Sequence, residues 1–100
     1  MRQITAIVIG GGGRGRAYAA YAKAFPQELK ITAVAEPDEE RRAWFQKEYR
    51  LAEENCFVSW EDCLAKGKTA DVAMICTMDR MHYAPAMQAL ELGYNLLLEK

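Results

Sequence analysis

The chain lacks most of what would mark a disulfide scaffold, a membrane protein or a binder of polyanions. Its three cysteines, Cys56, Cys63 and Cys76, are odd in number and show no C-x-x-C spacing. That pattern indicates neither a disulfide framework nor a zinc site, so no metal is expected, and it suits a reducing, cytoplasmic setting. Cys76 falls inside an apolar strand pattern and reads as a small core residue. Cys56 and Cys63 flank a turn, where the inert reading outweighs a reactive one. No apolar run approaches the roughly 20 residues that span a bilayer. Charge of one sign does not accumulate: 13 basic and 14 acidic side chains leave a net −1. There is thus no electrostatic case for nucleic acid or an anionic membrane as partner. The opening Met1-Arg2-Gln3 runs directly into a strand pattern, so no signal peptide is expected. No repeat, linker or low-complexity stretch interrupts the 100 residues, so one domain is expected.

What is present is an alternation of strand and helix. Strand one is expected over about residues 3–9 and helix one over about 14–25, stopped before Pro26. Strand two covers about 30–36. Pro37 breaks the chain, and Asp38 is placed to cap a helix running to about Tyr49. Phe57-Val58 reads as a short third strand. Ser59-Trp60-Glu61-Asp62 matches a capping box and opens a short helix to about Ala65. Strand four is expected over 71–77, a further helix over about 83–92 closed by Gly93, and strand five over 95–99. Strands one, two, four and five are nearly unbroken aliphatic runs, as parallel strands covered on both faces must be. Right-handed crossovers then give an α/β fold: a Rossmann-type doubly wound parallel sheet, order 3-2-1-4-5, with helices on both faces and cut off after strand five.

Chemistry enters at the first strand–helix junction. Gly10, Gly12 and Gly15 give G-x-G-x-x-G within Ile9-Gly10-Gly11-Gly12-Gly13-Arg14-Gly15. At such a junction the first glycine allows the tight turn, the second lets backbone approach a pyrophosphate, and the third lets helix pack on strand. The helix N-terminus then faces the anion with free N–H groups. Four glycines in a row could otherwise be no more than a flexible turn. Glu36 argues against that reading. It lies about 20 residues beyond Gly15 at the end of strand two, where a carboxylate accepts hydrogen bonds from an adenosine ribose. Its bland alternative is a solvated loop carboxylate. The Gly10–Gly15 loop, Glu36, Thr77 and Glu99-Lys100 all fall at strand carboxyl ends, so one cleft collects them at the switch point.

Four elements together resemble the N-terminal domain of the glucose–fructose oxidoreductase and myo-inositol dehydrogenase family (GFO/IDH/MocA). They are Gly10-Gly11-Gly12-Gly13-Arg14-Gly15, Ala35-Glu36-Pro37-Asp38, Thr77-Met78-Asp79-Arg80-Met81-His82 and Leu98-Glu99-Lys100. The match covers the whole chain, and the last two elements carry its specificity. The resemblance implies that Thr77 and Asp79 sit by the pyrophosphate and the nicotinamide-side ribose, with His82 shaping the same wall. Glu99 would contact the nicotinamide half. Lys100 would be catalytic, reaching the substrate hydroxyl and supporting proton transfer. Arg41, and less directly Arg42, would lie over the adenine; a solvated helix face is the alternative. Thr77 and Asp79 could instead simply cap a helix, His82 could be an ordinary helix-start residue, and Lys100 a solvated tail. Trp44, Phe45 and Tyr49 read as packing residues. Met78 departs from the proline usual in the family after the threonine.

The implied activity is hydride transfer between a nicotinamide and a hydroxyl-bearing carbon of a sugar, cyclitol or related polyol. The cofactor carries the redox chemistry while protein binds, orients and excludes water. Glu36 favours NAD over NADP, because a carboxylate suits a free diol and repels a 2′-phosphate. At ~4 Å and an effective dielectric of ~20, each unit pair costs about 4 kcal/mol. Exposure and salt reduce this to ~1–3 kcal/mol, roughly tenfold to a hundredfold discrimination. The family's substrate domain and its histidine would lie beyond Lys100. This chain alone is therefore expected to be inert, with any oligomer formed through that domain. A non-catalytic dinucleotide sensor on the same fold is the rival reading; Glu99-Lys100 favours the enzyme.

Overall fold

A computed structural model of the chain describes residues 3–77 and 83–98. The elements run β1 Ile4–Ile9, α1 Gly13–Ala24, β2 Leu29–Ala35, α2 Glu39–Glu48, a 3₁₀ turn Glu53–Asn55, β3 Cys56–Phe57, α3 Trp60–Leu64, β4 Val72–Ile75, α4 Tyr83–Glu91 and β5 Asn95–Leu98. The strands form one sheet of order β3-β2-β1-β4-β5, and every pairing is parallel. This is the architecture expected from the aliphatic runs. Among the described residues, no helix is long and apolar enough to cross a membrane.

The sheet is covered on both faces. On one side Ile7, Ile9, Ala73 and Ile75 pack with Leu64 of α3 and Ala89 of α4. On the other, Val8, Val34 and Met74 pack with Ala19 and Ala22 of α1 and Phe45 of α2. The sheet-facing row of α1 is Gly15, Ala19 and Ala22, all small and all buried. This row lets α1 lie close against β1, which fixes where its N-terminus points. A Cβ at Gly15 would stand 3.4 Å from the Val8 side chain and would collide with the Gly10 carbonyl oxygen.

Simple alternation fails within β2. Leu29, Ile31 and Val34 belong to one core cluster, whereas Ala33 and Ala35 belong to the other. The register explains this: Ala6 pairs with Ile31, but Ile7 pairs with Ala33. Thr32 is the extra residue of a β-bulge, in which two residues oppose one. Its hydroxyl donates to the Ala6 carbonyl at 3.3 Å. Thr32 and Ala33 both line a small cleft beside Cys63, so they share a face. The alternation resumes after them, and Glu36 emerges on the α1–α2 side.

Element ends follow local chemistry. Asp38 caps α2 by accepting from the Arg41 N–H at 3.0 Å. Ser59 caps α3 by accepting from the Asp62 N–H at 3.1 Å; the reciprocal half of the capping box is not among the described hydrogen bonds. After α4, Gly93 takes φ +92°, Tyr94 N–H donates to Ala89 at 3.0 Å and Gly93 N–H to Leu90 at 3.0 Å. This is a Schellman closure. β4 is shorter than expected. Just before it, Asp71 N–H donates to the Thr5 carbonyl at 3.0 Å, and the Asp71 carboxylate clasps β1 as well, accepting from the Thr5 N–H at 3.0 Å and hydroxyl at 3.2 Å. The 3₁₀ turn has no counterpart in the expected elements.

Candidate functional site

Beyond the carboxyl ends of the strands lies a cavity of about 670 Å³, within the usual range for small-molecule sites. Its floor is Ile9 and Ala35, the last residues of β1 and β2. Of the residues singled out in the sequence, Gly10, Gly12, Gly13, Glu36, Arg41 and Thr77 all line it. Gly15 sits below as the contact that seats α1. Arg14 is in the first turn of α1; its side chain lies outside the described residues, as do Asp79, His82, Glu99 and Lys100.

The glycine loop is built for close approach. Gly10 has φ +96°, and a Cβ there would meet the Cys76 carbonyl group at 2.8 Å and the Thr77 nitrogen at 2.9 Å. The chain therefore turns tightly against the end of β4. Among the described residues nothing stands within 4 Å of where a Gly13 Cβ would be, and at Gly12 only the Arg41 guanidinium does, from 3.6 Å. No side chain caps α1, whose N-cap is Gly12. The first hydrogen bond back to that cap is from Arg16 N–H, at 2.9 Å. The preceding N–H groups of the first turn have no intrahelical acceptor, so they face an open surface able to take phosphate oxygens.

Glu36 is 5% exposed and is the one buried charged residue among those described. Its Oε1 accepts from the Gly11 N–H at 2.6 Å and its Oε2 from the Asp38 N–H at 2.7 Å. One carboxylate thus ties the glycine loop to the turn that starts α2. An ionised carboxylate has about four acceptor positions, so capacity remains for hydroxyl donors from the cavity. The Phe45 ring, fully buried, backs this arrangement at 3.1 Å from where a Gly11 Cβ would be. Arg41 and Arg42 divide. Arg41 lines the cavity, while Arg42 Nη1 donates to the carbonyls of Glu36 at 2.8 Å and Pro37 at 3.3 Å. Arg42 thereby holds the turn rather than facing the cavity.

On the β4 side, the Thr77 hydroxyl is buried and has no hydrogen-bond partner among the described residues. A buried polar group is normally paired, and this one borders the cavity. Cys76 lies one residue past β4, packed against the core but also lining the cavity. It was expected simply inside the strand. Cys63 is buried, and desolvation pushes its thiol up to about 12. Burial also raises Cys56, consistent with the inert reading of both. Among the described residues no cluster of His, Cys, Asp or Glu could hold a metal ion. Trp44 and Tyr49 pack against the core around Phe45, as expected.

Sequence reasoning missed one wall. Ser59, Trp60 and Glu61, where β3 passes into α3, also line the cavity. They had been read only as a helix cap. The signal was available: β3 is parallel to β2, so its carboxyl end opens on the same edge as those of β1, β2 and β4.

The residues present fit a dinucleotide. The glycine loop leaves the space a diphosphate needs, Glu36 presents acceptors, and the orphaned Thr77 hydroxyl supplies a polar group. Comparison with known proteins agrees. The model of the GFO_IDH_MocA oxidoreductase family, NAD-binding Rossmann fold, matches residues 4–100. UDP-N-acetylglucosamine 3-dehydrogenase GnnA from Acidithiobacillus ferrooxidans is 30% identical, with a TM-score of 0.77 over 100% of this chain and 30% of that one. WlbA dehydrogenase from Chromobacterium violaceum, solved with NADH and UDP-GlcNAcA, is 18% identical with a TM-score of 0.88, over 100% of this chain and 28% of its own. Myo-inositol 2-dehydrogenase from Lactobacillus plantarum is 22% identical with a TM-score of 0.85, over 98% of this chain and 28% of its own. The last two likenesses speak to the fold. No curated protein sequence is significantly similar. The chain spans less than a third of the length of these solved relatives.

Proposed function

Given that the chain belongs to the GFO/IDH/MocA oxidoreductase family and forms its NAD-binding Rossmann domain, we propose that it is the cofactor half of a dehydrogenase acting on a sugar, cyclitol or related polyol. The observation that carries this reading is the Glu36 carboxylate buried beside an open glycine loop. When bound, the nicotinamide exchanges a hydride with a carbon bearing a hydroxyl. The chain's own residues bind and orient. The first-turn N–H groups of α1 hold the diphosphate, with Gly12 and Gly13 leaving room for it. Glu36 accepts from the adenosine ribose hydroxyls and disfavours a 2′-phosphate, so NAD is preferred over NADP. Arg41 lies over the adenine. Thr77 and Asp79 serve the diphosphate and second ribose, with His82 beside them and Arg14 in the loop.

Glu99 meets the nicotinamide half, and Lys100 polarises the substrate oxygen and holds a proton there. A lysine can do this when burial lowers its pKa towards neutrality. Support for these last roles comes from the resemblance of Leu98-Glu99-Lys100 to the family signature. The rest of the substrate site, and any subunit contact, would lie in further chain of the kind the longer relatives carry. Polyol and nucleotide-sugar substrates are suggested by what those relatives are called.

The test is a dehydrogenase assay of the full-length protein against a panel of polyols, sugars and nucleotide sugars, following nicotinamide absorbance. Turnover is expected with at least one of them. Lys100→Met should cut kcat by at least about a hundredfold, the scale of general acid–base catalysis, while NAD affinity stays within a few-fold. Turnover unaffected by Lys100→Met would contradict the catalytic role. NAD binding without turnover of any panel member would favour a dinucleotide sensor.

A further inference from the structure

Trp60 has no part in the reading above, yet it occupies a defined place in the cavity. It is partly buried, packed against the core cluster that contains Ile9, Ala35 and Leu64. Its remaining surface lines the cavity together with Glu36, Pro37, Arg41, Ser59 and Glu61. The turn that carries it is held in two ways. Glu36 N–H donates to the Phe57 carbonyl at 2.9 Å, which ties the end of β2 to the end of β3. Ser59 Oγ caps α3 through Asp62 N–H at 3.1 Å. The backbone that carries Trp60 is therefore tied to the backbone that carries Glu36.

Connectivity of the ligand decides what meets it. This step rests on the proposed function. If Glu36 takes the adenosine ribose and the glycine loop takes the diphosphate, two of the three parts of that nucleotide are assigned. Cys76 and Thr77, at the end of β4, lie towards the other half of the cofactor. The base must then occupy the cavity beyond Glu36, which is bounded by Pro37 and Arg41 on one side and Ser59–Glu61 on the other. Within that end, indole is the aromatic surface available, and a flat heteroaromatic base stacks well on it. We propose that Trp60 is the adenine-side wall of the cofactor site and sets how tightly the adenosine half is held.

The chain has two tryptophans, and they are well separated in role. Trp44 lies on the other face of the sheet, with the Arg16 guanidinium 4.2 Å above its ring and Phe45 and Tyr49 beside it. Tryptophan emission can therefore report on Trp60 alone once Trp44 is replaced. The experiment titrates the chain and its W44F, W60F and W60A variants with NAD, ADP-ribose and nicotinamide mononucleotide. Emission and calorimetry are read in parallel.

The expected result is that NAD and ADP-ribose quench the parent and W44F but not W60F, while nicotinamide mononucleotide quenches neither. W60A should weaken NAD and ADP-ribose about 5- to 150-fold, with W60F, which keeps a flat ring, closer to the parent. Quenching that survives in W60F and disappears in W44F would overturn the proposal. So would W60A, folded by circular dichroism, binding NAD as tightly as the parent. Failure of the parent itself to bind NAD would instead remove the proposed function on which this inference stands.

Discussion

In the proposed function Glu36 carries two tasks at once, and that changes what its replacement should do. A substitution aimed only at the ribose would be expected to trade one cofactor for another. Here the same carboxylate also satisfies the Gly11 and Asp38 N–H groups. A serine is too short to reach both, and each buried donor left unpaired costs about 1–3 kcal/mol. Glu36→Ser is therefore expected to narrow the NAD/NADP affinity ratio by roughly tenfold or more. It should do so mainly by weakening NAD, and with a lowered melting temperature. Calorimetric titration with both cofactors and a thermal melt check this; an unchanged ratio would count against the assignment of Glu36. The residue type and its place after the second strand were legible in the sequence. Its strap to Gly11 was not, because that bond depends on how closely the glycine loop folds back over the end of β2. Arg41 and Arg42 make the same point. Adjacent arginines look alike in sequence, yet one lines the cavity and the other is spent on the carbonyls of Glu36 and Pro37.

At the scale of elements, aliphatic runs and caps specified the order and nature of the strands and helices, because both signals are local. Asp38 and Ser59 cap the helices expected of them. The start of β4 was not legible, since the Asp71 carboxylate reaches back to Thr5, far away in sequence. The bulge in β2 was equally hidden: Leu29-Lys30-Ile31-Thr32-Ala33-Val34-Ala35 reads as one unbroken strand. Yet facing depends on it, because shifting a strand by one residue exchanges its faces. Thr32 and Ala33 together oppose one residue of β1, so the bulge absorbs a residue without turning Glu36 away from Gly11. Deleting Thr32 should then leave Leu29, Ile31 and Val34 on their present face and keep NAD affinity within a few-fold. Inserting one alanine between Ala35 and Glu36 should turn the carboxylate to the opposite face and lower NAD affinity by at least about tenfold. Circular dichroism establishes that both variants fold. An insertion variant that folds and binds NAD like the parent would contradict this account of how Glu36 is aimed.

For the whole molecule, one sheet edge gathers the site. Parallel strands share a direction, so their carboxyl ends open together, and stretches far apart in the chain meet there. That convergence is readable in the sequence, because the aliphatic runs and the residues that end them are local signals. The participation of Ser59, Trp60 and Glu61 followed from the same rule but was obscured by their more obvious work as a helix cap. The molecule is thus a binding platform whose chemistry would be completed by chain of the kind its longer relatives carry. The central proposal is selective affinity for NAD over NADP, and calorimetric titration with both at one fixed salt concentration tests that most directly. The account predicts saturable binding of NAD, roughly tenfold to a hundredfold tighter than NADP. Equal affinity for the two, or tighter binding of NADP, would contradict it.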